Sequence, residues 1–169
     1  MIKLENVDFK YKNSDYILKN INLNINEGEC ISIIGKNGAG KSSIAKLIAG
    51  ITKPTNGAIY VDEIDTKSKK DFLKLRKKVG IVFQNPDNQI LFNNVYDDIA
   101  FGLKNINLED IDLRINESLK KVKMQDFINN ETYELSLGQK QRITIASVLA
   151  VNPKYVVLDE PTTMIDSSR

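Results

Sequence analysis

Residues 30–42 of the chain read CISIIGKNGAGKS, an apolar run followed by a glycine-rich loop that ends in lysine and serine. From Gly35 to Ser42 the spacing is glycine, four residues and then Gly-Lys-Ser, which is typical of phosphate-binding loops. The glycines allow the backbone to bend so that successive N–H groups point at phosphate oxygens. A helix that begins at Lys41 would add the positive end of its dipole to this anion site. The stretch therefore predicts a nucleotide-binding loop.

The residue types of this loop predict how it would hold a nucleotide and a metal ion. Lys41 would reach the β- and γ-phosphates, and the Ser42 hydroxyl would ligate Mg²⁺. The other predicted nucleotide contacts are Gly35, Lys36, Asn37, Gly38, Ala39, Gly40 and Ser43. A purely structural glycine turn is the alternative. It is disfavoured because an apolar strand pattern precedes the loop and an amphipathic helix pattern follows it.

Strand and helix patterns alternate along the chain. In residues 20–25 isoleucine and leucine alternate with asparagine, which indicates a half-exposed strand. Residues 30–34 and 155–158 are almost continuously apolar, which predicts central strands of a parallel sheet that is covered on both faces. Further strand candidates are residues 58–61 and 79–83, and helical spacing marks residues 44–48, 111–122 and 143–150. Gly50 is placed to end the first of these helices. The alternation predicts an α/β layered fold.

Two acidic residues, Asp159 and Glu160, directly follow the apolar pattern of residues 155–158. A carboxylate at the tip of a parallel strand lies beside the phosphate loop in folds of this class. We therefore predict that Asp159 holds the Mg²⁺ shell and that Glu160 polarises the attacking water. An acidic pair after a strand is also compatible with an ordinary solvated loop, and the phosphate loop is what favours the catalytic interpretation.

The composition excludes several classes of protein. Of the 169 residues, 41% are hydrophobic and 27% are charged, which is close to the globular average and excludes collagen-like and wholly disordered chains. The net charge of +2 offers no basic surplus for binding nucleic acid. A single cysteine excludes an internal disulfide, so a reducing compartment is expected. No run approaches the roughly 18 apolar residues that span a bilayer, so a membrane role would require a partner.

Further motifs make the chain resemble the nucleotide-binding subunits of ABC transporters. Residues 135–139, Leu-Ser-Leu-Gly-Gln, stand where that family has its Leu-Ser-Gly-Gly-Gln signature. Gln84 follows the strand pattern of residues 79–83, as the Q-loop glutamine of the family does. Residues 163–166, Thr-Met-Ile-Asp, match the D-loop, which in the family lies across a dimer interface. The motifs occur in the family's order, and the resemblance covers essentially the whole chain.

The resemblance implies roles for residues outside the phosphate loop. Gln84 would sense Mg²⁺ and water and would link the site to the transmembrane partner. Ser136, Gly138 and Gln139 would bind the γ-phosphate that the other subunit of a dimer holds. Tyr11 lies where the family has an aromatic residue that stacks on adenine, and an ordinary core or strand position is the disfavoured alternative.

A closer resemblance is to the ATPases of energy-coupling factor and cobalt-type importers. It is carried by Phe83–Gln89, Val95–Gly102 and Lys140–Arg142. It implies a head-to-tail dimer of two ATPase subunits, identical or different, at the cytoplasmic face of the membrane, which drives uptake of vitamins or of cobalt and nickel. Residues 85–89 would contact the transmembrane subunit, and an ordinary turn around Pro86 is the alternative.

The fold implied by the resemblance is a phosphate-loop NTPase core with a mainly parallel sheet, an N-terminal antiparallel region and a helical insert. Residues 1–88 would form the N-terminal β region and the phosphate-loop core. Residues 89–135 would form the helical insert. Residues 136–169 would carry the signature helix, the acidic strand and the D-loop.

Two departures from the family pattern qualify these expectations. Leu137 replaces a signature glycine, and a leucine would hinder close approach and disfavour positive φ. The chain also contains no histidine, whereas the family has one after the D-loop that contacts the γ-phosphate. The chain therefore resembles the first three-fifths of a longer protein, and we expect the C-terminal strands of that protein to be missing from it. One missing strand would lie between residues 30–34 and 155–158, so we expect poor hydrolysis by these 169 residues alone.

The sequence thus predicts an ATP- and Mg²⁺-dependent ATPase subunit of an energy-coupling factor importer. One alternative is an ABC ATPase of DNA repair or translation. DNA-repair members carry long coiled-coil inserts, and the short span from Gln84 to Ser136 argues against them. Translation factors carry two such domains in tandem. A second alternative is a remnant that binds nucleotide without turnover.

Overall fold

A computed structural model describes residues 1–160, and the predicted D-loop at residues 163–166 lies outside them. The chain divides into two units between Val79 and Gly80. Each unit has its own secondary structure and is described by itself.

The first unit is built on an antiparallel sheet. Its strands are β1 (Ile2–Phe9), β2 (Leu18–Ile25), β3 (Asn56–Val61) and β4 (Ile64–Asp65), in the order β2-β1-β3-β4. Leu4 of β1 is opposite Leu23 on one side and Ile59 on the other. Alternate side chains of β1 are buried, while the asparagines of β2 are exposed, as the period of two predicts.

Helix α1 (Lys41–Ile48) packs against β3, and the shorter α2 (Phe72–Lys78) follows later in the same unit. The buried residues Ile44, Leu47 and Ile48 share one face of α1, because residues three and four apart lie on the same side of a helix. The helix ends before Gly50, whose φ of +65° is a left-handed conformation that glycine adopts without strain. The predicted end of this helix is therefore confirmed.

The second unit combines a small parallel sheet with helices. Strand β5 (Val79–Val82) begins at the division between the units and pairs with β6 (Tyr155–Leu158). The helices are α3 (Val95–Asn105), α4 (Ile111–Lys121) and α5 (Leu137–Val151), and short 3₁₀ turns occupy Pro86–Asn88, Gln125–Phe127 and Thr132–Glu134. None of the helices in residues 1–160 combines the length and the apolar character that crossing a bilayer requires.

The three helices of the second unit pack on one another around a common core. Fully buried members of this core are Ile99, Leu103, Ile115, Leu119 and Ile143. They recur at helical spacing, so each helix directs one apolar stripe inward. The helical character predicted for the segment from 89 to 135 is confirmed, and its only described β pairing is an isolated bridge between Asn94 and Glu131.

One expectation about the strands is wrong. Residues 30–34 were expected to form a buried central strand, but they are irregular and exposed, with Ile34 89% exposed and Cys30 on the surface. Such a strand needs hydrogen-bonded neighbours, and within residues 1–160 no strand pairs with this segment. Strand β6 forms as predicted, but Val156 and Leu158 are exposed and not covered.

We expect the helical core to dominate the stability of the second unit. Ile143 is fully buried, so Ile143→Ala should lower the free energy of unfolding by about 2–5 kcal/mol. Leu113→Ala on the exposed face of α4 is the control and should change it by about 0.5 kcal/mol or less. Urea denaturation followed by circular dichroism measures both, and equal shifts of the two midpoints would contradict this packing.

Candidate functional site: a phosphate loop and a glutamine–glutamate pair

The phosphate loop passes directly into α1 through two glycines with left-handed backbones. Gly38 has φ of +81°, and Gly40, which precedes the first residue of α1, has φ of +90° and ψ of 12°. L-residues with a side chain adopt such angles only at a cost, which accounts for glycine at both positions. The N-cap position of α1 is Gly40, which forms no side-chain cap hydrogen bond to the first turn.

Lys41 folds back over the loop that precedes it. Its Nζ donates hydrogen bonds to the carbonyl oxygens of Gly35 at 3.0 Å and Lys36 at 3.2 Å. The N–H of Ala39 donates to the same Lys36 oxygen at 3.1 Å and closes a turn. The ammonium group is therefore held at the loop, where its charge adds to that of the helix N-terminus.

The two glycines differ in the space around them. An added Cβ at Gly38 would find nothing within 4 Å, so this part of the loop is open. An added Cβ at Gly40 would lie 2.8 Å from Leu18 Cδ2 and 2.9 Å from Ile17 Cγ2. The loop thus packs on the start of β2 at Gly40 and leaves room at Gly38. This arrangement fits a bound phosphate chain.

Tyr11 lies beside the helix that carries the loop. Its hydroxyl is 3.3 Å from the Oγ of Ser43, which is buried in α1. Its ring packs edge-on against Phe9 with centroids 4.8 Å apart and remains 41% exposed. An exposed aromatic ring next to the phosphate loop suits stacking on a base. The roles of Tyr11 and Ser43 in nucleotide binding stay predictions.

Gln84 and Glu160 are brought together in the second unit, although 76 residues separate them in the chain. The N–H of Asp159 donates to the carbonyl of Val82 at 2.9 Å, which places the end of β6 beside the end of β5. The Nε2 of Gln84 then donates to Oε2 of Glu160 at 2.9 Å. The structure thus forms a contact between the two side chains that were predicted to be catalytic.

The signature residues form the start of α5. The Oγ of Ser136 accepts a hydrogen bond from the N–H of Gln139 at 3.3 Å, and Oε1 of Gln139 accepts one from the N–H of Ser136 at 2.8 Å. This reciprocal pair is a capping box, which stabilises the first turn of a helix. Both side chains are therefore engaged in starting their own helix.

Leu137 does not strain the backbone, contrary to the expectation that it disfavours a required positive φ. It is the first residue of α5 and has helical backbone angles, not the left-handed ones found elsewhere in the chain. An α-helical position accepts leucine without cost. Leu137 therefore differs from the signature glycine of the family only in its side chain, which is 40% exposed at the helix N-terminus.

Sequence reasoning missed the side chains that hold the strand end before Gln84. The N–H of Phe83 donates to Oε1 of Gln89 at 3.1 Å, and its carbonyl accepts from Nε2 of Gln141 at 3.2 Å. Close by, the ammonium group of Lys140 pairs with the carboxylate of Asp87 at 2.8 Å. The available signal was a glutamine at position 141, which a helix places on the same face as the buried residues Thr144 and Val148.

The structure thus assembles two sets of predicted residues, each within its own unit. The first unit holds Tyr11 and the phosphate loop, and the second holds Gln84, the signature and the acidic pair. The predicted metal ligands Ser42, Gln84 and Asp159 come from both units, and the metal site stays a prediction.

The different surroundings of the two left-handed glycines allow a matched test. Gly38→Ala meets backbone strain alone and should cost about 1 kcal/mol of unfolding free energy. Gly40→Ala adds a clash with buried Leu18 and should cost about 2–4 kcal/mol. Urea denaturation of both variants measures the difference. A larger loss for Gly38→Ala would contradict the loop geometry.

Comparison with curated proteins finds energy-coupling factor transporter ATP-binding proteins EcfA1. The protein from Fusobacterium nucleatum is 45% identical over 168 residues, which cover 98% of this chain and 63% of that protein. The protein from Oceanobacillus iheyensis is 47% identical over 169 residues, which cover 98% of this chain and 60% of that protein. The chain therefore spans about three-fifths of the length of these relatives.

Solved structures share the fold. CbiO1 from Clostridium perfringens, described as part of the ABC transporter complex cbiONQ, aligns with a TM-score of 0.83 and 41% identity over 98% of this chain and 67% of its own. A dimeric ATP-binding cassette with ADP and phosphate bound aligns with a TM-score of 0.88 and 37% identity over 99% and 77%. The family described as ABC transporter matches residues 18–163. The chain therefore belongs to the ABC transporter family of ATP-binding domains.

Proposed function

We propose that the chain is the nucleotide-binding part of an ATPase subunit that powers an energy-coupling factor-type importer. The observation that carries the ATPase assignment is the hydrogen bond between Gln84 and Glu160. A phosphate loop alone supports nucleotide binding, whereas a carboxylate oriented by an amide also supports activation of water. The EcfA1 relatives support the importer assignment.

Nucleotide binding is assigned to the loop and its flanks. The N–H groups of residues 35–41 and of the first turn of α1 donate to phosphate oxygens, and Lys41 exchanges its carbonyl partners for the β- and γ-phosphates. The Tyr11 ring stacks on adenine. Ser42, Gln84 and Asp159 are the residue types that hold Mg²⁺, which when bound neutralises charge on the phosphate oxygens.

Hydrolysis is assigned to the pair in the second unit. Water attacks the γ-phosphorus, the bond to the β–γ bridging oxygen breaks, and the Glu160 carboxylate accepts the proton of the attacking water. Gln84 donates to Oε2 of Glu160 at 2.9 Å, which holds that side chain in one orientation. Positioning of this kind reduces the entropic part of the activation barrier.

The signature residues are assigned to binding the nucleotide that a second subunit holds. Ser136, Gly138 and Gln139 lie at the N-terminus of the 15-residue helix α5, whose dipole favours a γ-phosphate presented by another subunit. The capping box holds this turn in place before the phosphate arrives. A solved relative that is a dimer supports the assembly. Leu137 would be displaced or would pack beside the partner's nucleotide.

Contact with the membrane partner is assigned to the segment after Gln84. Within residues 85–89, Pro86–Asn88 form a short 3₁₀ turn that the side chain of Asn85 caps. The exposed Leu91 and the contacting rings of Phe92 and Phe101 follow it and offer an apolar surface to a helix of a transmembrane subunit. The protein would then lie at the cytoplasmic face of the membrane without spanning it.

We also propose the division of the domain that the motifs indicate. Residues 1–88 form the β region and phosphate-loop core, 89–135 the helical insert, and 136–169 the signature helix, acidic strand and D-loop. The helices and turns described between 89 and 135 support the middle boundary pair.

The loop assignment predicts that ATP affinity depends on Lys41. Charge-assisted hydrogen bonds contribute roughly 1.5–3 kcal/mol, so Lys41→Ala should weaken ATP binding about ten- to a hundredfold. Lys46→Ala in the last turn of the same helix removes the same charge and should leave affinity within about twofold. Titration of the full-length protein with a fluorescent ATP analogue measures both. Equal affinity of Lys41→Ala and the parent would refute the loop assignment.

The hydrolysis assignment predicts that Glu160→Gln keeps ATP binding and nearly abolishes turnover. The amide preserves the shape of the side chain but cannot accept the proton of water at neutral pH. Glu117→Gln, on the exposed face of α4, makes the same charge change and should keep the parent's rate. Phosphate release gives the rates, and size-exclusion chromatography should show an ATP-bound dimer of Glu160→Gln. Turnover close to the parent's would remove Glu160 as the base.

A further inference from the structure

Phe83 directly follows β5, and a glutamine side chain holds each of the two peptide groups that flank it. Its N–H donates to Gln89 Oε1 at 3.1 Å, and its carbonyl accepts from Gln141 Nε2 at 3.2 Å. Gln89 also donates through its Nε2 to the carbonyl of Ile81 at 3.2 Å. The Gln141 hydrogen bond restrains the peptide between Phe83 and Gln84, called here the Phe83 peptide, and the Gln89 hydrogen bond restrains the peptide before it. Rotation of the Phe83 peptide would break its hydrogen bond to a buried amide.

Two contacts join α5 to the segment after β5: Lys140 reaches Asp87 in the turn Pro86–Asn88, and Gln141 reaches the Phe83 carbonyl. The pair of Lys140 and Asp87 has side chains that are 19% and 55% exposed, and water screens such a pair. Gln141 is fully buried, so its hydrogen bond is not exchanged for one to water. The Gln141 amide is therefore the firmer of the two links between α5 and the strand end.

The constrained peptide directly precedes Gln84. The direction in which the Gln84 side chain leaves the backbone follows from the orientation of the peptide before it, and this side chain reaches Glu160 Oε2 at 2.9 Å. A rotation at Phe83 would move the Gln84 amide away from the carboxylate. Gln141 thus acts on Glu160 through two intermediates, the Phe83 carbonyl and Gln84.

We propose that Gln141 is a positioning residue for ATP hydrolysis, because it holds the Phe83 peptide in the orientation from which Gln84 reaches Glu160. The inference rests on the proposed ATPase function. The hydrogen bond of the Gln141 amide ends on the Phe83 carbonyl, one residue before Gln84. It lies two residues after Gln139 on the same helix, so the signature turn and the Gln84–Glu160 pair are joined through one buried amide.

Replacement of Gln141 by leucine removes the hydrogen bond and keeps a side chain of similar volume. In the full-length protein, Gln141→Leu should lower kcat for ATP hydrolysis about ten- to a hundredfold, since displacement of catalytic groups by about an ångström has effects of that order. KM for ATP should stay within about twofold. Thr144→Val, an equally buried polar-to-apolar change one turn later in α5, is the control and should keep kcat. Lys140→Met should also have little effect.

A double-mutant cycle separates positioning from a general loss of packing. If Gln141 acts through Gln84, then Gln141→Leu introduced into a Gln84→Ala background should lower kcat no further. Independent, multiplicative losses in kcat, or a KM rise that accounts for the whole effect, would overturn the proposal. Thermal unfolding of Gln141→Leu and Thr144→Val controls for unequal loss of stability.

Hydrogen exchange of the Gln84 side-chain amide, followed by ¹⁵N NMR, tests the contact without turnover. Exchange should become several-fold faster in Gln141→Leu and stay unchanged in Thr144→Val. Unchanged exchange in Gln141→Leu would overturn the proposal. A parent protein that turns over no ATP would refute the proposed function, and the exchange measurement would still decide the role of Gln141.

Discussion

The fold and the candidate site both depend on one constraint, that backbone N–H and C=O groups removed from water must find partners. In the first unit the antiparallel ladder between β1, β2 and β3 meets it. In the second unit side chains meet it where ladders end, as Gln89 and Gln141 do for the Phe83 peptide. Where the partners are missing from residues 1–160, as for residues 30–34, strongly apolar residues remain irregular and exposed. Hydrophobicity alone therefore did not produce a strand there.

The helix N-termini meet the same constraint in different ways. Asn94 caps α3, and Ser136 with Gln139 caps α5, so side chains of the protein occupy donors of those first turns. Helix α1 instead begins after Gly40, which has no side chain to offer, and Gly38 beside it is open to solvent. In the proposed function, phosphate oxygens of the nucleotide accept hydrogen bonds from the N–H groups of this turn. At α5 the capping box serves a different end, because it orders a turn that a second subunit's nucleotide would meet.

Several features could be predicted from residues alone because they are local. The glycine loop at residues 35–40, the helix that follows it, the helix end at Gly50 and the strand Tyr155–Leu158 follow from spacing and conformational preference, and the structure confirms these elements. The family membership also follows from short motifs, and the match over residues 18–163 confirms it. The buried strand at residues 30–34 could not be predicted reliably, since pairing depends on which neighbours are present. The concern about φ at Leu137 was wrong because a helix, not a left-handed turn, begins there.

The sequence by itself determined the chemistry that the chain offers, namely a glycine loop with Lys41, an amide at position 84 and a carboxylate at position 160. Only the tertiary structure decided which of these groups meet. Gln84 and Glu160 are distant in the chain, and their hydrogen bond exists because the ends of β5 and β6 are paired. The positioning role proposed for Gln141 likewise could not be derived from the sequence, where Gln141 is one polar residue of a helix. Its function depends on the backbone carbonyl that it reaches, and contacts between distant segments arise only when the chain is folded.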